Sequence, residues 1–189
     1  MSNVYENCPV LENDRFLLRF IEETDMEDLL KVYSDKNALP FFNSDNCDGD
    51  NFYYPTIERM KSAYDFWVYS YREKWFVRWS IIDKATNNVI GTIELFKRIS
   101  EDETNGMGTL RLDVRSDYEK EDSLKSILGL IVPNAYDLFD TDTILTKIPN
   151  YAIERMAAAE SLGFTKRDIV LYGDNGEGYT GYWTVSRAE

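Results

Sequence analysis

Residues 109–138 constrain the fold of this chain more than any other stretch of its sequence. Apolar side chains alternate along its first part, at Leu110, Leu112 and Val114, which is the spacing of a half-buried strand. After a charged turn, apolar residues recur every three or four positions, which is the spacing of one helical face: Leu124, Ile127, Leu128 and Ile131. Ser123 stands where an N-cap belongs, so we predict a strand, a turn and a helix that starts there. Such a unit places the free N–H groups of a helix start at the end of a strand, where they can bind an anion.

Hydrophobic periodicity and turn residues predict the remaining elements. Predicted strands cover residues 15–20, 75–82, 89–96, 143–148, 164–172 and 179–186. Predicted helices cover residues 26–33, 55–72 and 151–162. Thr24 or Asp25 caps the first helix, Pro55 opens the second, and Gly163 ends the last. Pro133 lies inside the central helical pattern, where we expect it to kink the helix or to mark a break.

The order of these elements is β α α β β β α β α β β, which predicts an α/β (α+β) fold. We expect one mixed, twisted and mostly antiparallel sheet of six or seven strands, with helices on both faces. One parallel pair is expected where the central helix crosses between the strands at 109–114 and 143–148. The sequence shows no internal repeat and no linker, so we predict that residues 1–189 form a single domain.

The composition of the chain limits its partners and its location. It has 21 Lys and Arg residues against 34 Asp and Glu, and this net charge of −13 disfavours nucleic acid and anionic membranes. The chain has no apolar run of membrane-spanning length, no signal-peptide pattern at its start and only two cysteines, so a cytoplasmic location is expected. Because histidine is absent, the commonest metal ligand and the commonest general base are missing, and we predict no metal site.

Four segments, at residues 15–35, 89–96, 123–148 and 157–168, share their order and spacing with one family. They read RFLLRFIEETDMEDLLKVYSD, VIGTIELF, SLKSILGLIVPNAYDLFDTDTILTKI and AAAESLGFTKRD. Together they resemble the GNAT superfamily of N-acetyltransferases, and more narrowly its ribosomal-protein-alanine acetyltransferase-like branch. The resemblance implies a GNAT-like sheet and transfer of acetyl from acetyl-CoA to a primary amine. The acceptor would be a peptide N-terminus, a polyamine or another small amine, and the acidic charge would suit a cationic one.

The resemblance also implies that the turn before the central helix holds the pyrophosphate of acetyl-CoA through backbone amides. The family's loop follows R/Q-x-x-G-x-G/A, and its first, fourth and sixth positions fall on Glu119, Asp122 and Leu124. An acid therefore replaces the basic or amide residue, and larger side chains replace the small residues that let backbone approach phosphate. From these changes we predict that acetyl-CoA binds weakly as co-substrate.

By resemblance, eight residues would contact acetyl-CoA: Leu112, Val114, Arg115, Lys120, Asp122, Ser123, Leu124 and Asn150. The backbone of Leu112 and Val114 would line the pantetheine channel, in a groove where the strands at 109–114 and 143–148 separate. Asn150 lies two residues from Ala152, which replaces the family's late-helix asparagine. The alternatives are an ordinary core strand and a solvated acidic turn with an ordinary N-cap.

Asp113 and Glu94 are the candidate general bases that would deprotonate the amine; the alternative for each is an exposed or salt-bridged strand acid. The family's tyrosine general acid is replaced by Ala159. Four tyrosines near the end of the chain could take its place, and the sequence does not choose between them: Tyr151, Tyr172, Tyr179 and Tyr182.

The aromatic-rich run at residues 52–79 has three possible roles: a wall of the acceptor pocket, part of the core, or the face of a homodimer. Two further functions remain open beside acetyl transfer. One is a catalytically degenerate GNAT-fold binding or interaction protein that no longer uses acetyl-CoA. The other is an acyltransferase in which other loops hold the CoA phosphates.

Overall fold

One mixed sheet forms the centre of the computed structural model, which describes residues 3–188. Its strands, in chain order, are β1 Leu11–Glu12, β2 Phe16–Phe20, β3 Val77–Asp83, β4 Asn88–Lys97, β5 Gly108–Val114, β6 Thr143–Lys147, β7 Thr165–Lys166, β8 Leu171–Tyr172, β9 Gly178–Tyr179 and β10 Tyr182–Ser186. Eight of them pair in the order β1-β2-β3-β4-β5-β6-β10-β7, and β8 and β9 form a separate hairpin. Of these pairs only β5 with β6 is parallel. The predicted mixed, mostly antiparallel sheet is confirmed, with eight strands rather than six or seven because the two-residue strand β1 extends one edge beyond the predicted strands.

Helices cover both faces of the sheet, as predicted: α1 Met26–Tyr33, α2 Ile57–Arg72, α3 Glu121–Phe139 and α4 Ile153–Ser161. One hydrophobic cluster packs α3 against Leu110 and Leu112 of β5, and a second lies beneath α1 and α2. Because side chains alternate along a strand, Arg111 and Asp113 face the α1–α2 side. No helix within residues 3–188 is both long and apolar enough to cross a membrane.

The start of α3 differs from the prediction. The helix begins at Glu121 with Lys120 as its N-cap residue, and Ser123 is buried inside its first turn. The Lys120 side chain makes no capping bond, and the N–H of Glu121 instead donates to the carboxylate of Glu154 at 2.8 Å. The predicted cap at Ser123 is wrong because the acceptor for the first amide lies 33 residues away along the chain, where a local pattern cannot show it.

Other boundaries also differ from the prediction. The strand predicted at residues 164–172 is divided into the short strands β7 and β8. The helix α2 begins after Thr56, whose hydroxyl accepts from the N–H of Arg59 at 3.2 Å, so Pro55 lies outside the helix. The helix α3 continues through Pro133, which excludes a break there, one of the two predicted effects of this proline. The last predicted strand is divided into β9 and β10 because Gly181 between them has φ of +88°, a left-handed conformation that favours glycine.

The parallel strands β5 and β6 pair only over their first halves. The partners are Gly108 with Ile144, Thr109 with Leu145 and Leu110 with Thr146. The Thr146 hydroxyl donates to the Leu110 carbonyl at 2.9 Å, at the last pair. From Leu112 onward, β5 has no backbone partner on this side among the described residues. The two strands therefore separate beside Leu112, where the groove was predicted.

Candidate active site

Arg155 of α4 reaches the separated end of β5 with its charged side chain. Its guanidinium donates to the Leu112 carbonyl at 2.9 Å and to the Phe41 carbonyl at 3.2 Å. Arg155 is only 4 % exposed, so its charge is withdrawn from water and needs an internal partner. The side chains of Leu112 and Val114 belong to the core, and the Leu112 carbonyl is already used within the chain.

Glu119, in the turn before α3, is the partner of Arg155. The Nε and Nη2 atoms of Arg155 each donate to one carboxylate oxygen of Glu119, both at 2.7 Å. The two side chains are 5 % and 6 % exposed. Two parallel, charge-assisted hydrogen bonds of this kind are strong and fix the geometry of both groups. The first position of the predicted phosphate loop therefore faces the interior, where its charge is neutralised.

Two cations near the start of α3, Lys120 and Arg115, also lie beside carboxylates. Glu154, which accepts from the first amide of α3, lies 4.0 Å from the ammonium of Lys120. Arg115 pairs with Asp117 at 2.6 Å, and this hydrogen bond raises the pKa of Arg115. The two cations predicted to hold phosphate, Arg115 and Lys120, thus both lie beside carboxylates of the chain itself.

The other residues predicted to contact acetyl-CoA do not form one surface. Ser123 and Leu124 are buried in α3, so the Leu124 side chain packs into the core. Asp122 is exposed and accepts a hydrogen bond from Arg15 at 2.9 Å, which lowers the pKa of Asp122. Asn150 lines a separate depression of about 340 Å³. Their roles toward acetyl-CoA stay predictions.

A cavity of about 530 Å³ lies on the α1–α2 side of the sheet, and we term it the aromatic pocket. Seven aromatic side chains line it: Phe52, Tyr54, Phe66, Trp67, Trp75, Phe76 and Phe96. All of them come from the aromatic-rich run at residues 52–79 except Phe96 of β4. Part of this run therefore forms a pocket wall, and its buried members, such as Trp67, also belong to the core.

The aromatic pocket carries an excess of negative charge. Its charged lining residues are Asp48, Asp50, Arg59, Glu94, Arg111 and Asp174. Arg59 pairs with Asp50 at 2.7 Å, and Arg111 pairs with Glu94 at 2.5 Å. Asp48 and Asp174 have no Lys or Arg partner within residues 3–188. Within residues 3–188, no group of three or more Cys, Asp or Glu side chains is arranged to hold a metal ion.

Beneath the pocket, Arg78 of β3 joins two buried carboxylates. Arg78 is 1 % exposed and pairs with Glu94, which also pairs with Arg111. Its Nη1 atom lies 3.4 Å from Oδ2 of Asp113. The Tyr33 hydroxyl donates to the same Asp113 oxygen at 2.8 Å. These contacts make one buried network of charges under the floor of the pocket, in which Oδ1 of Asp113 has no hydrogen-bond partner among the described residues.

The two predicted general bases, Glu94 and Asp113, differ in pKa and in position. Burial would raise the pKa of Glu94, but the charges of Arg111 and Arg78 outweigh it and lower this pKa. Burial raises the pKa of Asp113, and the opposing effects of Arg78 and Tyr33 are smaller. Glu94 lines the pocket, whereas Asp113 does not. Neither carboxylate combines a raised pKa with access to the pocket, so the general-base role stays a prediction.

None of the four tyrosines that could replace the family's general acid lines the aromatic pocket. The Tyr182 hydroxyl donates to Asp45 at 2.9 Å, and the Tyr151 hydroxyl donates to the Pro40 carbonyl at 2.5 Å. Tyr172 and Tyr179 lie in the β8–β9 hairpin. The choice of a general acid therefore stays open.

Arg155 is the residue of this candidate site that could have been expected from the sequence but was not predicted. It shares one helical face with Ala158, Ala159 and Leu162, at the spacing i, i+3, i+4 and i+7. A charge on the buried face of an alanine-rich helix indicates a buried ion pair, because such a charge is almost never buried alone. The pattern could not name Glu119 as the partner, because the two residues lie 36 positions apart.

Comparison with family models and curated proteins gives one partial match. No family model matches the chain. The uncharacterized N-acetyltransferase YoaA of Bacillus subtilis (strain 168) is 31 % identical over 85 residues, which is 45 % of this chain and 44 % of that protein. The match therefore spans less than half of the length of this relative.

Solved structures show the fold over nearly the whole chain. An acetyltransferase (GNAT family) from Bacillus anthracis matches with a TM-score of 0.68 and 13 % identity, over 94 % of this chain and 98 % of that one. The ribosomal-protein-S5-alanine acetyltransferase of Vibrio fischeri matches with a TM-score of 0.66 and 15 % identity, over 95 % of this chain and 96 % of that one. The spermidine N-acetyltransferase of Vibrio cholerae was solved in complex with CoA and spermine. It matches with a TM-score of 0.66 and 11 % identity, over 92 % of this chain and 96 % of that one. The fold of this chain is that of GNAT acetyltransferases.

The residues at the expected acetyl-CoA site do not fit that molecule in the conformation described. The Leu112 carbonyl, expected to face pantetheine, is bonded to Arg155. The first amide of α3, expected to face phosphate, is bonded to Glu154. Two of the groups expected to contact acetyl-CoA, this carbonyl and this amide, are thus bonded to side chains at the start of α4.

Proposed function

We propose that this chain is a GNAT-type acetyltransferase that acetylates a small primary amine held in the aromatic pocket. The aromatic pocket is the observation that carries this proposal. It reaches Arg111 of β5, the residue next to Leu110, where β5 and β6 separate. The acceptor pocket and the groove predicted for acetyl-CoA thus meet on one strand. The fold shared with acetyltransferases and the partial match to YoaA support the same class of reaction.

The lining of the pocket favours a cationic acceptor. Aromatic ring faces attract cations, and the rings of Phe66 and Trp75 have no arginine or lysine over them among the described residues. The carboxylates of Asp48 and Asp174 have no cationic partner among the described residues, so they leave negative charge for a ligand to neutralise. The volume of about 530 Å³ lies within the range of small-molecule sites. A polyamine or another small amine fits these properties, and the spermine bound to the Vibrio cholerae neighbour is a ligand of this class.

Acetyl-CoA would supply the acetyl group, and this chain's own residues would bind and orient the amine. The two cysteines are free thiols, which suits the cytoplasm, where thiols stay reduced. We also propose that residues 1–189 act as a single domain. A homodimer is a further part of this proposal. It would cover three exposed aromatic side chains, Phe66, Tyr69 and Trp75.

A second candidate is a GNAT-fold protein that binds an amine but has lost acetyl transfer. The buried Glu119–Arg155 pair favours it, because this pair occupies the groove expected for acetyl-CoA. The replacement of the family's tyrosine by Ala159 favours it as well.

The two candidates differ in one experiment. Spermidine, spermine and tyramine are each incubated with the protein and acetyl-CoA, and acetylated products are measured by mass spectrometry, while amine binding is measured by calorimetry. The first candidate predicts an acetylated product. Binding of an amine without any product would support the second candidate. In either case the double substitution Asp48→Asn, Asp174→Asn weakens amine binding about tenfold or more, since it removes the two unneutralised charges.

The matched control changes two acids outside the pocket, Asp137→Asn and Asp65→Asn. Both are exposed and engaged in surface ion pairs. Net charge changes equally in the two double variants, so the control should bind the amine as the unmodified protein does. Equal binding by all three proteins would contradict the assignment of the pocket.

A further inference from the structure

We infer that the start of α4 is an internal latch that closes the acetyl-CoA site, and that acetyl-CoA binds only when Arg155 leaves the groove. This inference rests on the proposed function and names how its donor site is controlled. Two adjacent side chains form the latch, and each occupies a different part of the expected site. Arg155 lies in the groove between β5 and β6, and Glu154 lies at the start of α3.

Arg155 occupies the position of the pantetheine arm. The resemblance places that arm along the separated half of β5, where the Leu112 carbonyl would accept a hydrogen bond. Arg155 donates to this carbonyl at 2.9 Å. It also bridges to the Phe41 carbonyl at 3.2 Å, on the loop after α1. The Arg155 guanidinium thus hydrogen-bonds to Leu112, Phe41 and Glu119. A ligand cannot bond to the Leu112 carbonyl in the same way while the guanidinium stays there.

Glu154 lies at the amide where the resemblance would place phosphate. The N–H groups at the start of an α-helix attract anions, and the 19-residue helix α3 is long enough for this effect. A carboxylate oxygen of Glu154 accepts from the first of these groups at 2.8 Å. A pyrophosphate that approached this amide would have to displace an anion of the chain itself.

Glu119 holds the latch shut. Its two hydrogen bonds to Arg155 are buried, and loss of either partner alone would leave an uncompensated charge in the interior. Movement of the Arg155 side chain away from Glu119 is therefore unfavourable in free energy. Glu119 stands at the family's basic or amide position, so the residue that departs most from the family pattern is also the residue that closes the groove.

The test is a titration with acetyl-CoA of the unmodified protein and of the double variant Glu119→Gln, Arg155→Ser. The double substitution removes both charges together and empties the groove. A ligand that binds only an infrequent open state has its apparent affinity reduced by the fraction of that state. We therefore expect the double variant to bind acetyl-CoA on the order of 100-fold more tightly than the unmodified protein. The control, Asp137→Asn, Arg187→Ser, removes an exposed pair of the same charges and should leave binding unchanged.

Two results would overturn the inference, and they have different meanings for the proposed function. Micromolar binding by the unmodified protein, not improved in the double variant, would show that no latch limits the site, while acetyl-CoA use would survive. Absence of binding in both proteins, with the double variant folded by circular dichroism, would remove the latch and the acetyltransferase proposal together.

A second measurement does not depend on the folding of a variant. The Nε–H group of Arg155 donates to Glu119 in a buried site, so its NMR signal should be protected from exchange with solvent. Saturating acetyl-CoA should abolish this protection as the side chain leaves the groove. Protection that persists at saturation would show that acetyl-CoA binds without opening the latch, and the inference would be wrong.

Discussion

Replacement of Arg78 by methionine tests how the floor of the aromatic pocket is held together. Arg78 is 1 % exposed and pairs with the carboxylates of Glu94 and Asp113. Its guanidinium carbon also lies 4.1 Å from the centre of the Trp67 ring. Methionine keeps most of the aliphatic volume of arginine but removes the charge and every donor. The variant therefore leaves two buried carboxylates with fewer partners and little change in packing.

The expected loss of stability follows from what remains around each carboxylate. Removal of one partner from a buried ion pair costs about 3–5 kcal/mol. Glu94 keeps Arg111 at 2.5 Å and Asp113 keeps the Tyr33 hydroxyl at 2.8 Å, which places the electrostatic loss near the lower end of that range. The lost stacking on Trp67 adds roughly 1–2 kcal/mol. We expect Arg78→Met to lower the free energy of unfolding by about 4–5 kcal/mol, which is the sum of these two losses.

Urea unfolding of the two proteins measures this difference, and equal m-values confirm that the same surface is exposed on unfolding. Arg187→Met is the control, because Arg187 pairs with Asp137 at the surface and both side chains are at least half exposed. Exposed pairs contribute about 0–1 kcal/mol. If Arg78→Met costs no more than Arg187→Met, the network under the pocket does not hold the floor as described.

Three further substitutions or labels test local parts of the structure. Gly91→Ala should destabilise the protein by about 1–3 kcal/mol in urea unfolding, because a Cβ atom would lie 2.1 Å from the Asp113 carbonyl. For Asp102, burial would raise the pKa, but hydrogen bonds from Thr104, the Tyr172 N–H and Arg98 outweigh it and lower the pKa. Its contribution to stability is therefore present at neutral pH and is lost progressively as the pH falls below about 4, so in urea unfolding Asp102→Asn should lower stability most at pH 7 and progressively less below pH 4. Burial raises the pKa of Cys8 to about 12 and that of Cys47 to about 11, so a thiol reagent at pH 8 should label both slowly in the native protein and rapidly in urea; rapid native labelling would contradict their burial.

The elements that the sequence predicted are those that depend on neighbouring residues. The alternation at Leu110, Leu112 and Val114 predicts β5, and the turn at residues 83–88 predicts the hairpin of β3 and β4. The separation of β5 from β6 was expected from the resemblance and is found beside Leu112. The start of α3 could not be predicted in the same way, because Glu154 satisfies its first amide from a distant part of the chain.

The candidate site was predicted in part. The sequence shows Glu119 as a departure from the family's phosphate loop. From this acid we expected weak acetyl-CoA binding, because a carboxylate repels phosphate. In the structure Glu119 points inward and pairs with Arg155, so its charge is neutralised within the chain; under the proposed latch its role is to hold the groove closed. Leu124 was expected to obstruct the loop, whereas its side chain is buried in the core. Both differences arise from the direction of side chains, which a motif does not encode.

A crystal structure grown with acetyl-CoA at millimolar concentration tests the central claim most directly. The account predicts that the ligand lies between β5 and β6, with its pantetheine arm at the Leu112 carbonyl and with Arg155 turned out of the groove. The contacts of Arg155 with Glu119 and of Glu154 with the first amide of α3 would both be broken. Acetyl-CoA bound at another surface, with the Glu119–Arg155 pair intact, would contradict it.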